Sequence, residues 1–362
     1  MRKLGISIYP EHSTREKDKE YITSAAKYGF KRIFTCLLSV QGSKEEIVDK
    51  FTEIISHARK EGMEVIFDVA PHVFPAIGAS YDNLEIFAQM GASGIRLDEG
   101  FGGQKEALMT HNPYGLKIEI NISSGTKYVE QILSYGPNKD NLIGCHNFYP
   151  QEFTGLSYSH FAETSQLFKE HNIRTAAFVS SNVATFGPWP VNDGLCTLET
   201  HRYLPIVTQV KHLFATDLID DVIIGNAYAS EEELAALSKI NPNKLSFRVK
   251  PSQKTSDLEK IIMENEVHFN RGDVSDYLIR STQSRVKYKK ESFPNHNTDD
   301  IQKGDVLVGN NDFGQYKGEM QIARLPMKND GRKNIVGKIV KEEIFLLDYI
   351  KPWDYFELEL EN

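Results

Sequence analysis

What most constrains this chain is a regular alternation of short apolar runs with amphipathic stretches, repeated eight times over roughly 240 residues. The first apolar run, Leu4–Pro10, reads as a strand. Ser13 or Thr14 can cap the helix that follows over Arg15–Tyr28, and Gly29 stops it. The second strand is Arg32–Leu38, after which Ser43 precedes Glu45, Glu46 and an amphipathic helix to Lys60, stopped by Gly62. The third, Val65–Ala70, runs into Pro71 and precedes a helix near Asn83–Met90. The fourth is Ile95–Asp98, with a short helix at Gln104–Met109. The fifth, Lys117–Ile122, leads through Ser123, Ser124 and Gly125 into a helix. The sixth is Leu142–Asn147, with a helix over Ser157–His171. The seventh is Arg174–Ser180, followed by a loop through Phe186–Gly194 and a helix over Thr197–Phe214 that Pro205 should kink. The eighth is Asp221–Ala227, with Glu231–Lys239 as its helix. Eight such units predict an α/β fold, a TIM-type (β/α)8 barrel. A doubly wound sheet would use fewer units and an early glycine-rich phosphate turn, and neither GxGxxG nor a Walker-type loop is present.

The pattern changes after Pro242. One clear helix, Ser256–Asn265, is followed by strand-like runs at Asp276–Ile279, Asp305–Val308, Met320–Ala323, Ile335–Val340 and Phe345–Ile350. Turns such as GNNDFGQ and NDGRKN separate them. This predicts a barrel over residues 1–242 and a small, mostly-β barrel domain over 243–362. Hydrophobic content of 40% and charged content of 25% are those of a globular protein. A net charge of −8 argues against non-specific nucleic-acid binding. No apolar run reaches the roughly 18 residues of a membrane helix. Cys36, Cys145 and Cys196 are odd in number and far apart, which argues against a disulfide framework or a thiolate zinc site. The chain enters a strand almost at once, leaving no room for a signal peptide, so a cytoplasmic location is expected.

Three consecutive strands end on or near acids: VIFDVAP carries Asp68, GIRLDEG carries Asp98 and Glu99, and KIEINIS carries Glu119. In a parallel barrel these ends share one rim, with neighbouring strands about 4.8 Å apart. Strand alternation sorts the side chains by face. If Ile118, Ile120 and Ile122 pack on helices, Glu119 and Asn121 point inward; the same parity turns Asp68 and Asp98 inward and leaves Glu99 to the loop. The expected mouth holds Glu11, Asp68, Asp98, Glu119, Asn121, His146 or Asn147 with Tyr149, and Asn226. Arg96 is expected to balance one of the acids, and His201 and Arg202 to be surface or packing residues. Trp189 suits either a sugar-stacking wall or plain packing. Crowded acids cannot all ionise freely. One protonated acid beside one carboxylate is what glycoside hydrolysis requires, while the same oxygens also suit a divalent metal.

The run IRSTQSR, Ile279–Arg285, combines arginines and hydroxyls that match phosphate oxygens, although surface strands are often equally polar. Arg280, Ser281 and Arg285 are its candidate ligands. The loops after the seventh and eighth strands, with Ser180, Ser181, Asn182 and Gly225, stand where many barrels bind phosphate.

LGISIYPEH, RLDEGF, NPYGLKIEINIS, CHNFYP and IRSTQSR together resemble a bacterial family associated with 6-phospho-N-acetylmuramidase activity, over essentially the whole chain. The resemblance implies a TIM-like barrel followed by a cyclophilin-like β-barrel. It also implies cytoplasmic hydrolysis, during cell-wall recycling, of N-acetylmuramic acid 6-phosphate linked β-1,4 to N-acetylglucosamine. It assigns no catalytic pair, so the roles rest on parity. Asp98 or Glu119 protonates the glycosidic oxygen, and the other carboxylate, or Asp68, serves the opposite face. The substrate's 2-acetamido group is an alternative nucleophile. Arg280 and Arg285 would hold the 6-phosphate. No cofactor or metal is expected, and the partner is the phosphorylated amino-sugar disaccharide, with neither nucleic acid nor membrane. The rival readings are a metal-dependent sugar-phosphate isomerase or epimerase using the same acids, and a non-catalytic ligand-binding protein. A homodimer in which Arg280 and Arg285 serve the neighbouring chain stays open.

Overall fold

The structure is a computed structural model that describes residues 2–38 and 44–361. Ser43, the expected cap of the second helix, lies outside the described residues. The chain divides into two compact units, Met1–Lys239 and Ile240–Asn362. No helix among the described residues is long and apolar enough to cross a membrane.

The first unit is a closed (β/α)8 barrel. Its strands are β1 (Lys3–Ile8), β2 (Arg32–Cys36), β3 (Glu64–Val69), β4 (Gly94–Leu97), β5 (Lys117–Asn121), β6 (Leu142–Cys145), β7 (Arg174–Val179) and β8 (Asp221–Ile224). They follow one another in sequence order, all parallel, and β8 pairs with β1 to close the ring. Period-two alternation sets what faces where. On β5, Ile120 packs outward with Ile122, Val129, Ile132 and Phe168 under the surrounding helices. Burying each such side chain contributes roughly 1.5–3 kcal/mol.

The barrel interior is divided by chemistry. On the side of β1, β2, β6, β7 and β8 the upper interior is apolar, with Tyr9, Phe34, Cys36, Cys145, Ala176, Phe178 and Ile223 in one cluster. Phe34 meets Phe178 edge-on at 5.1 Å, and Phe148 meets Phe178 at 5.0 Å. On the side of β3, β4 and β5 the interior is charged. Gly5 makes room for the deepest of these charges: a Cβ there would stand 3.1 Å from the Cβ of Arg32 and 2.9 Å from its carbonyl oxygen.

Local signals explain most of the helices. Thr14 and Ser157 accept hydrogen bonds from Lys17 N and His160 N at the starts of Arg15–Lys27 and Tyr158–Glu170. Ser230 and Glu233 form a reciprocal capping box at the start of Glu231–Ser238. The helix expected over Thr197–Phe214 is instead a single turn, Glu199–His201, and a separate helix, Ile206–Ala215. Pro205 caps the second rather than kinking a continuous one, because its ring sits more easily at a helix start than inside.

The second unit is a nearly closed, mostly-β sheet. Its strands are β9 (Leu245–Pro251), β10 (His268–Phe269), β11 (Leu278–Ser281), β12 (Asp305–Gly309), β13 (Met320–Ala323), β14 (Lys333–Ile339) and β15 (Tyr355–Leu360). The order is β10-β15-β9-β14-β12-β13-β11, with only β15 and β9 parallel. The helix Asp257–Asn265 buries Ile262 and Met263 in the same core as Phe247, Val306, Ile322 and Val336. Phe345–Ile350, read as a strand, belongs to 3-10 turns over Lys341–Tyr349, where Leu346 and Leu347 fill the core. The run Ile279–Arg285 is half strand and half helix, turning at Thr282 into Gln283–Lys287.

Candidate active site

Arg96 is the hub of the barrel mouth. In the β-ladder it stands level with Asp68 on β3 and with Glu119 on β5. Its guanidinium reaches toward the C-terminal ends of the strands. Nη1 donates to Asp68 Oδ1 at 2.5 Å and to Asp98 Oδ1 at 3.3 Å, and Nη2 donates to Asn147 Oδ1. Two carboxylates sharing one nitrogen at 2.5 and 3.3 Å have their nearer oxygens at most ~5.8 Å apart.

The two aspartates differ in environment. Asp68 is buried, and burial lifts its pKa to about 6. Arg96 pulls against that rise, while the charges of Asp98 and Glu119 add to it. Asp98 follows the end of β4, with 38% of its side chain exposed. A pocket of ≈ 100 Å³ opens above them, walled by Cys36, Leu38, Phe148, Phe178 and Trp189. The pocket is polar and charged on one side and apolar and aromatic on the other. Among the described residues no three His, Cys, Asp or Glu side chains gather as a metal would need. The position between the aspartates is taken by a guanidinium.

The other expected mouth residues scatter. Glu119 faces inward but lies outside the pocket: it is fully buried and ion-paired with Arg32, which also holds Asp221 at 3.0 Å. Asn121 turns its oxygen back to Ser123 N at 2.8 Å. Glu11 pairs with Lys50 at 2.9 Å. Asn226 clamps the backbone of Ser181, accepting from its N–H at 2.8 Å and donating to its carbonyl at 2.9 Å. Tyr149 is half-buried, and burial raises its hydroxyl pKa. Of the pair His146 and Asn147, Asn147 lines the pocket. His146 is buried against Ser165 and Ser123, and burial drops its pKa to about 3, so it stays neutral. His201 and Arg202 are both buried packing residues, Arg202 paired with Glu199 at 2.6 Å.

The loops after β7 and β8 are filled by the protein itself. The Glu233 carboxylate accepts from Ser181 Oγ at 2.6 Å and from Asn182 N at 3.1 Å. Two of the donors expected to face an anion there are thus engaged by Glu233.

In the second unit Arg280 and Arg285 do converge, on a fully buried Glu319, at 3.0 and 2.6 Å. Arg285 also lies over the Tyr316 ring. The neighbouring Lys333 was not anticipated; burial lowers its pKa, with Glu319 and Arg280 among the charges acting on it. Ser281 points into the core, paired with His268 at 3.0 Å. Also missed were the apolar wall residues Cys36, Phe148 and Phe178. The parity that placed the acids would have turned Cys36 and Phe178 inward.

A (β/α)8 barrel whose mouth sets a buried, pKa-raised aspartic acid beside a second carboxylate and an aromatic wall has the equipment of a glycosidase. The chain belongs to the 6-phospho-N-acetylmuramidase family: residues 4–239 match its N-terminal domain and residues 245–359 its C-terminal domain. A crystal structure of an uncharacterised B. cereus protein is 56% identical over 99% of both chains, with a TM-score of 0.93. A conserved Enterococcus faecalis protein of unknown function is 26% identical over 99% of this chain and 97% of that one, with a TM-score of 0.76. No curated protein matches the chain.

Proposed function

We propose that this protein hydrolyses the β-1,4 bond between N-acetylmuramic acid 6-phosphate and N-acetylglucosamine, in the cytoplasm and as part of cell-wall recycling. The observation that carries the chemistry is the Asp68–Arg96–Asp98 constellation. Asp68, with its pKa near 6, is the proton donor to the glycosidic oxygen. As the C1–O bond breaks, the Asp98 carboxylate meets the opposite face. It either attacks C1 or holds the N–H of the 2-acetamido group while that group's carbonyl oxygen attacks. Water then adds at C1, its proton returns to Asp68, and the sugar leaves. A separation of at most ~5.8 Å between the nearer oxygens leaves little room for a water between the carboxylates. It favours a two-step, retaining course over direct inversion, for which about 6.5–9.5 Å is usual. Trp189, Phe148 and Phe178 offer apolar surface to the ring.

Arg280 and Arg285, with Lys333 beside them, are the candidate phosphate ligands of the second unit. Three cations facing two carboxylates, Glu319 and Asp330, leave positive charge to spare.

The test is hydrolysis of the phosphorylated disaccharide by Asp68→Asn and Asp98→Asn, with product anomers followed by NMR. Each variant should lose at least about a thousandfold in kcat/KM while staying folded, and the wild type should release the retained anomer. Near-wild-type turnover in both variants would overturn the assignment.

A further inference from the structure

The opposite end of the barrel, where the strands begin, holds a second cavity that the proposed hydrolysis does not use. Its volume is ≈ 320 Å³, and it lies wholly within the first unit. Five cations line it: Lys3, Arg32, Lys117 and Arg174 at the starts of their strands, and Arg59 from the helix Lys44–Lys60. Three carboxylates answer them. Glu64 takes Lys3 at 2.7 Å. Asp221 takes both Arg32 and Arg174. Glu119, just above, takes the other arm of Arg32.

Two charges are left over. The Lys117 ammonium donates to neutral acceptors, the Asp140 carbonyl at 2.8 Å and Asn141 Oδ1 at 3.1 Å. Arg59 has no ion-pair partner among the described residues and is exposed. A third feature is independent of this count. Arg32 is buried, yet its Nε–H has no acceptor among the described residues, and an unsatisfied buried donor is costly unless something fills the position. The remaining wall is partly apolar, with Ile66, Leu116 and Ile143. Such a lining lowers the local dielectric and strengthens the pull on an anion.

We propose that this cavity is a binding site for a phosphate dianion, either inorganic phosphate or the phosphoryl group of a small phosphomonoester. The surplus of two positive charges matches a dianion. Arginine and lysine donors suit phosphoryl oxygens, and the volume admits a small sugar phosphate. It is separate from the Arg280 and Arg285 cluster, so either assignment can fail without the other.

Calorimetric titration of the full chain tests this, using inorganic phosphate and glucose 6-phosphate as probes. An Arg280→Ala/Arg285→Ala background removes the other cationic cluster. In that background each molecule should bind one phosphate saturably. Adding Arg59→Ala and Lys117→Met should weaken it at least about tenfold for each donor removed. Arg59→Glu alone, at an exposed position where folding is not at stake, should abolish it. Tighter binding of glucose 6-phosphate would identify a phosphomonoester site, and equal or weaker binding a site for free phosphate. No saturable binding in the background, or binding indifferent to Arg59→Glu, would overturn the proposal.

Discussion

Replacing Arg96 with methionine removes the cation from Asp68 while keeping a side chain of comparable reach. The wild-type carboxyl titrates near 6 in the folded protein and near 3.9 unfolded. Folding therefore favours the protonated form. The stability linked to that proton is fully present below pH ~4, is lost as pH rises through 6, and amounts to about 3 kcal/mol. Arg96 holds the Asp68 pKa down, so without it the carboxyl stays protonated to higher pH. The loss then continues above pH 6 at about 1.4 kcal/mol per pH unit, where the wild type has levelled off. Between pH 6 and 8 the variant should fall behind the wild type by up to about 2 kcal/mol, over and above any pH-independent cost of lost packing. Urea unfolding at pH 5, 6, 7 and 8 measures this. The chain has two tryptophans, Trp189 in the barrel and Trp353 in the second unit. A Trp353→Phe background therefore reports the barrel alone. In the double variant Asp68→Asn/Arg96→Met the extra pH dependence should vanish. A gap between Arg96→Met and wild type that is the same at pH 5 and pH 8 would refute the picture of a buried acid held near 6 by one guanidinium.

Glu119→Gln should behave as a structural change with an electrostatic echo: about 3 kcal/mol less stable by urea unfolding, with kcat at pH 6 within about tenfold of wild type. Because the Glu119 charge raises the Asp68 pKa, the alkaline limb of kcat/KM should move to lower pH; a thousandfold loss of kcat would instead return Glu119 to the chemistry. Arg280→Ala should raise KM for the phosphorylated disaccharide at least about tenfold with little change for an unphosphorylated analogue, and equal effects on both substrates would count against a phosphate role.

The barrel was legible because eight apolar runs, each followed by an amphipathic stretch, leave few other ways to bury those faces. Parity also carried the site partway. It turned Asp68 and Glu119 inward, and both stand level with Arg96 in the ladder. Parity gives face but not partnership. Which of two inward acids lines the pocket was decided by Arg32 on the far side of the ring, whose guanidinium reaches Glu119. No local pattern in β5 announces a partner 87 residues away. In the second unit, β15 carried a readable signal in Phe356 and Leu358 alternating with exposed Glu357 and Glu359, and it was overlooked. Lys341–Tyr349 misled for the opposite reason. Its apolar residues look like a strand, but they fill the core from 3-10 turns, a case of packing overriding local propensity.

The charged half of the barrel interior makes physical sense as one stack. Burial alone would push a carboxyl like Asp68 far above the pH at which a proton donor is useful, and an arginine alone would pull it far below. Asp68 sits between these limits because Arg96 is divided: its Nη1 is shared with Asp98 and its Nη2 with Asn147. Glu119 adds negative charge from below, and Arg32 holds Glu119 in turn. Arg32 and Arg174 share Asp221 at the base. The acid at the mouth is thus tuned by pairs that continue down to the strand starts, which is why a buried carboxylate outside the pocket can matter to the titration of one that lines it.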